Sequence, residues 1–174
     1  MVKTRAAALC FGALAISAIP SAVSADDGHR WQPPGPLVQL VREATKHFRD
    51  PNYALTMNYE PGPCVSGGAG GAMGVHFVNA DLLDDAPPDV NRPEALIYEP
   101  QSDGSYRLVG VEYITLAGPA ALDGHLMNFV GSPNRYGLPS FYELHVWAWR
   151  DNPIETFADF NPRVSCDAQP SSVP

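Results

Sequence analysis

The chain has 174 residues, of which 45% are hydrophobic, and carries a formal charge of −8 at neutral pH. That acidity argues against nucleic acid and anionic membrane surfaces as partners. The length suits one domain able to bury a real core.

The first 25 residues read as a secretory signal peptide. Lys3 and Arg5 make a positive start, Ala6 to Ile19 an apolar run, and Val23-Ser24-Ala25 a small-residue cleavage site. The apolar run is short for a membrane span, and no later one is long enough. Cleavage after Ala25 moves the formal charge to −10 and predicts a secreted or periplasmic protein. Residues 26–36 are polar and Pro-rich and read as an exposed leader, which leaves 37–174 as a single globular domain. Cys10 departs with the signal peptide. In an oxidising compartment the remaining pair, Cys64 and Cys166, most simply forms one disulfide. The other reading is two free thiols acting in redox chemistry or metal binding, although their separation matches no CxxC-type motif.

Leu37, Leu40, Val41, Ala44 and Phe48 recur at helical spacing. Pro36 suits the first helical position and Asp50-Pro51 closes the run. Tyr53, Leu55, Met57 and Tyr59 alternate with more polar residues and predict a short strand ended by Pro61-Gly62-Pro63, with a continuing helical turn as the alternative. The glycine run from Gly67 to Gly74 follows a Pro/Cys turn and leads into a strand. It therefore reads as a connector or bulge rather than a phosphate loop, which would follow a strand and open a helix.

Val75-His76-Phe77-Val78 is the next predicted strand, and Asn79 can cap a single turn through Leu82 and Leu83. Asp81, Asp84, Asp85 and Asp89 fall in a Pro-rich loop without the spacing of a calcium loop. Residues 94–99 and 106–116 read as a hairpin around Ser102-Asp103-Gly104. Residues 117–140 show no clear period, and a loop of that length is usually functional or mobile. Phe141 to Arg150 reads as a strand with Tyr142, Leu144, Val146 and Ala148 on one face and Glu143, His145, Trp147 and Trp149 on the other.

Single ionisable residues interrupt otherwise apolar strands at His76, Glu112, Glu143 and His145, and Glu94 and Glu99 bound another strand. A buried charge without a partner is expensive, so such groups should find each other. Two imidazoles with one or two carboxylates in a sheet-lined cavity suit zinc, iron, manganese or copper, which makes His76, Glu112, Glu143 and His145 a candidate site for a divalent transition metal. The same groups could act as an acid/base pair, or form a hydrogen-bonded Glu–His–Arg network of purely structural value. No GxSxG surrounds Ser66, Ser105 or Ser132, and no HExxH occurs.

The stretches Met73 to Asn79, Pro93 to Pro100 and Glu143 to Trp147 resemble those of a group of exported bacterial proteins without an assigned activity. The resemblance extends through Asn161 to Cys166 and implies an exported, single-domain protein.

The predicted architecture is α+β. One N-terminal amphipathic helix packs on a curved antiparallel sheet of four or five strands, a roll or half-barrel, with a small cupin-like β-barrel as the alternative. The predicted function is a small exported protein whose His/Glu-lined pocket binds a metal ion or small ligand, with or without catalysis. The alternatives are a non-catalytic module that binds an apolar small molecule through Tyr113, Trp147 and Trp149, and an interaction protein without pocket chemistry.

Overall fold

The computed structural model of the protein describes residues 34–169. The expected signal peptide, 1–25, and most of the expected leader lie outside them.

The chain is α+β, with short helices packed on one curled antiparallel sheet. Helix α1 spans Pro36–Thr45 with proline in its first turn, and a 3-10 turn, Lys46–Arg49, continues it. Its buried stripe is Leu37, Val38, Val41 and Thr45, whereas Leu40 stays half exposed. The stripe is thus rotated from the expected one. Thr45 can face inward because its hydroxyl donates to the Val41 carbonyl at 2.6 Å and accepts the Trp149 indole N–H at 3.1 Å. Burial of each large side chain here contributes on the order of 1.5–3 kcal/mol.

Residues expected as a strand from Tyr53 form helix α2, Pro51–Thr56, instead. Asp50-Pro51, which reads as a stop signal, is also a helix start. The Asp50 carboxylate accepts the Asn52 N–H at 2.9 Å, and Pro51 occupies the first helical position, where its missing N–H costs nothing. Tyr53, Leu55 and Met57 are accordingly left 40–49% exposed.

The six-stranded sheet has the order β1-β2-β3-β4-β8-β7, made of β1 (Glu60–Ser66), β2 (Ala72–Val78), β3 (Ala95–Pro100), β4 (Tyr106–Thr115), β7 (Asn128–Val130) and β8 (Phe141–Val146). It holds more strands than expected, and both additions are edges. Pro61 and Pro63 do not end a strand but lie within β1, where an outer edge tolerates residues without an N–H. The 117–140 segment is not structureless. It holds a small hairpin of β5 (Ala121–Leu122) and β6 (His125–Leu126), and then β7. Within β2, Gly74 has φ +101°, and a Cβ there would stand 2.6 Å from the Tyr98 carbonyl oxygen, so β2 lies against β3 only with glycine at this point.

The helices cover one face of the sheet, where Val75, Phe77, Leu96, Tyr98, Val111, Tyr113, Leu144 and Val146 form the main core with Leu37 and Val41. The Tyr98 hydroxyl donates to the Phe48 carbonyl at 2.6 Å and fastens the helical segment to β3. The opposite face carries a smaller cluster of Ala72, Ile97, Val109, Trp147 and Val164 under the C-terminal segment. Cys64 on β1 and Cys166 are disulfide-bonded across 102 residues of sequence, as expected. Among the described residues no helix is long and apolar enough to cross a membrane.

Candidate metal centre

The strand register places the candidate residues on the face away from α1. His76 on β2 pairs with Ile97, Ala95 on β3 pairs with Glu112, and Glu112 on β4 pairs with His145 on β8. Paired residues of an antiparallel sheet share a face. Glu143, two residues before His145, lies on that face as well. Ala95 projects only a methyl group between His76 and Glu112, so the longer side chains can meet above it. The expected placement of His76, Glu112, Glu143 and His145 on one face therefore follows from pairing order, and the curl of the sheet brings them together.

All four are almost wholly buried. Glu112 Oε2 lies 3.3 Å from His76 Nε2 and 3.9 Å from His145 Nε2. One donor atom from each of His76, Glu112 and His145 falls within 4.8 Å of the others. Ligands about 2.1 Å from one metal stand roughly 3.0–3.4 Å apart in octahedral or tetrahedral geometry; the 3.3 Å contact matches that range, and the 3.9 Å contact needs a small inward movement to hold a first-row ion. A second group with the same mutual spacing is Glu143, His145 and Asp159, with Asp159 Oδ1 3.6 Å from His145 Nδ1. His145 belongs to both.

Three residues complete the cluster that no strand periodicity could reveal. The Tyr136 hydroxyl donates to Glu112 Oε2 at 2.6 Å. Arg135 Nη2 lies 3.7 Å from Glu112 Oε1 and 3.6 Å from Glu143 Oε2, so one guanidinium faces both carboxylates. Asp159 comes from the C-terminal segment and is partly exposed. Arg135 and Tyr136 sit in the 117–140 stretch, whose length was one signal. Charge balance was a second clue, because two buried carboxylates call for a cation and lysine is nearly absent from this part of the chain.

Burial sets the protonation of the site. It pushes His76 down to about 3, assisted by the Arg135 charge; the Gly74 backbone opposes this in smaller measure, without reaching hydrogen-bond geometry. His145 is held well below its ordinary range by burial, and then by His76 and Arg135. Glu112 is held well above the usual carboxylate range by burial and by the adjoining Glu143 carboxyl, against the opposing pull of Tyr136 and Arg135. Both imidazoles are therefore neutral, the form that ligates metal. Both nitrogens of His76, both of His145, Glu112 Oε1 and Glu143 Oε2 are buried and lack a hydrogen-bond partner.

The aromatic residues expected to line an apolar pocket are divided between faces. Trp147 stacks on the His145 ring at 6.5 Å, and its indole donates to the Ala158 carbonyl at 2.6 Å. Tyr113 lies in the helix-side core and donates to the Val90 carbonyl at 2.9 Å. Trp149 also packs toward the helix, where it meets Thr45. The strand ends at Val146, and the Ala148 N–H turns back to the Val146 carbonyl, so the alternation that would have placed Trp149 beside His145 stops short. Glu94 and Glu99 stay outside the cluster. Glu94 accepts the Ile114 N–H at 2.8 Å and Glu99 the Ser165 N–H at 3.3 Å.

A cleft of about 850 Å³ adjoins the centre, with Asp159 on its wall beside His125, Asn128, Glu155, Phe157 and Phe160. Compared with protein-family models, curated proteins and solved structures, the chain matches none of them.

Proposed function

We propose that this protein binds one divalent transition-metal ion through His76, Glu112 and His145. The observation that carries the reading is the pair of buried imidazoles, whose nitrogens have no hydrogen-bond partner, converging at ligand spacing on the buried Glu112 carboxylate. A structural network would satisfy such atoms, and each one left unsatisfied costs on the order of 1–3 kcal/mol. A metal supplies the missing partner. Two histidines and one carboxylate leave coordination positions open, an arrangement that suits iron, manganese or zinc. Glu143 and Arg135 balance charge next to the carboxylate ligand. Asp159 Oδ1 stands 3.6 Å from the other His145 nitrogen, short of a hydrogen bond but on the side from which carboxylates back metal-bound imidazoles.

The proposal includes export. The disulfide fits an oxidising compartment, and the N-terminal 25 residues have the form of a signal peptide. Membership in the group of exported bacterial proteins belongs to the same proposal, since two of the stretches that carry that likeness hold His76 and His145.

The test is metal analysis of protein purified without a metal-affinity tag, alongside the His145→Ala variant. About one equivalent of metal in the parent and none in a cooperatively unfolding variant supports the reading. A metal-free parent that takes up no iron, manganese, zinc or copper on titration ends it.

A further inference from the structure

The Tyr136 hydroxyl is 2.6 Å from the same carboxylate oxygen, Glu112 Oε2, that faces both histidines. Its oxygen therefore already lies within the space that one coordination sphere would occupy. The ring stands edge to face with His76, centroids 6.1 Å apart, and packs against Phe141 at 5.7 Å. Arg135 lies over the same ring, 4.7 Å from its centroid, and its Nη2 is 3.3 Å from the phenol oxygen. A guanidinium in that position favours negative charge on the oxygen, against burial and the Glu112 carboxyl, which together hold the phenol well above its ordinary range until a cation arrives.

The loop that delivers Tyr136 is fixed from within by one side chain. The Asn134 amide nitrogen reaches the carbonyls of Gly131, Leu138 and Pro139 at 3.1, 2.9 and 3.3 Å. The Asn134 carbonyl oxygen accepts the N–H groups of Tyr136 and Leu138, each at 3.2 Å. Three other buried tyrosines are used differently. Tyr59, Tyr98 and Tyr113 each donate to a backbone carbonyl and belong to the helix-side core. Tyr136 alone among these four aims its hydroxyl at the ionisable cluster.

We propose that Tyr136 is itself a metal ligand, so that the centre has two imidazole nitrogens, one carboxylate oxygen and one phenolate oxygen. This rests on the metal reading above and deepens it. When the ion binds, the phenol O–H bond breaks, a metal–oxygen bond forms, and the proton leaves to solvent with no change in the oxidation state of the metal. Glu112 loses the hydrogen bond from Tyr136, gives up to solvent any proton its raised carboxyl holds, and becomes free to ligate through Oε2. Two anionic oxygens beside two imidazoles suit the cupric ion. Arg135 offsets part of the negative charge gathered there.

The experiment titrates the full chain with cupric chloride while its visible absorption and bound copper are recorded. Copper lies at the top of the affinity order for nitrogen and oxygen donors, so occupancy is readily reached. The expected result is a phenolate-to-copper charge-transfer band that saturates at one equivalent, with phenolate vibrations enhanced on resonance Raman excitation into it. In Tyr136→Phe the band should vanish while His145-dependent copper binding persists at lower affinity. The parent protein alone suffices if that variant fails to fold, because the Raman signature identifies a phenolate directly. Copper bound at one equivalent with no such band, or the same band in Tyr136→Phe, overturns the phenolate assignment and leaves the three-residue site standing. Copper that does not bind overturns the phenolate assignment, and copper that binds equally well to His145→Ala removes the three-residue site with it.

Discussion

His76 and His145 stand edge to face, ring centroids 5.8 Å apart and planes at 86°, although two strands lie between theirs. On a flat sheet three strand steps span about 14 Å. Curl of the sheet and inward lean of the rings close that gap over Ala95 and Glu112. The site therefore depends on the pairing order β2-β3-β4-β8, and a slip of one residue on any of these strands would turn its ionisable group toward the helix-side core.

Replacement of Glu112 by glutamine should separate binding from stability. The amide keeps the volume and can still accept from Tyr136, but it has no charge to bury and no proton to take up on folding. Metal uptake should be lost, while the metal-free protein gains on the order of 1–2 kcal/mol. Thermal unfolding of both proteins in chelator measures this, and a marked fall in stability would assign Glu112 a structural role instead.

Metal binding should release protons, and the imidazoles should not be their source. His76 lies near 3 and His145 well below its ordinary range, so neither carries a proton to lose at neutral pH. Burial and the adjoining Glu143 carboxyl hold Glu112 well above the ordinary carboxylate range. Affinity should therefore climb with pH above that range, without the step near pH 6 that ordinary histidine ligands give. Calorimetric titration in two buffers of different ionisation heat counts the protons. A value of zero contradicts the assignment.

Glu94 predicts a pH effect independent of the metal. Burial raises it to about 7 from 4.5, against the pull of the Ile114 N–H. The folded state then holds a proton that the unfolded chain has lost. The contribution of Glu94 is fully present below about pH 4.5 and disappears as pH rises through 7, a change on the order of 3 kcal/mol. Glu94→Gln should flatten the stability profile over that interval and be the more stable protein at pH 8. Denaturant unfolding at several pH values decides it, and parallel curves for the two proteins would refute the reading.

Loss of the Cys64–Cys166 bond should cost on the order of 4–5 kcal/mol, because the loop it closes contains most of the sheet. The paired serine variant should unfold correspondingly earlier, and denatured, unreduced protein lacking residues 1–25 should show no free thiol. Two titratable thiols would return the cysteines to chemistry.

Much of the sheet was legible from residues alone, because β2, β3, β4 and β8 are apolar on both faces and each ionisable interruption stands out. The placement of His76, Glu112, Glu143 and His145 on one face needed only alternation and sequential pairing. Helix α2 was misread because Tyr53, Leu55, Met57 and Tyr59 alternate like a strand, whereas the cap and proline at Asp50-Pro51 decide its local structure. Arg135, Tyr136 and Asp159 were hidden for a different reason. They reach the site from loops, where no period links sequence position to direction, and only the buried carboxylates' need for a cation hinted at Arg135.

The two prolines of β1 have a wider consequence. An outer strand usually offers a row of free N–H and C=O groups on which another chain can polymerise. Pro61 and Pro63 have no N–H to offer, and the register of β1 shifts between Pro61 and Cys64, which twists the edge further from a usable template. This margin of the sheet is thus guarded against amyloid-like growth and strand exchange, and any partner that meets it must do so through side chains.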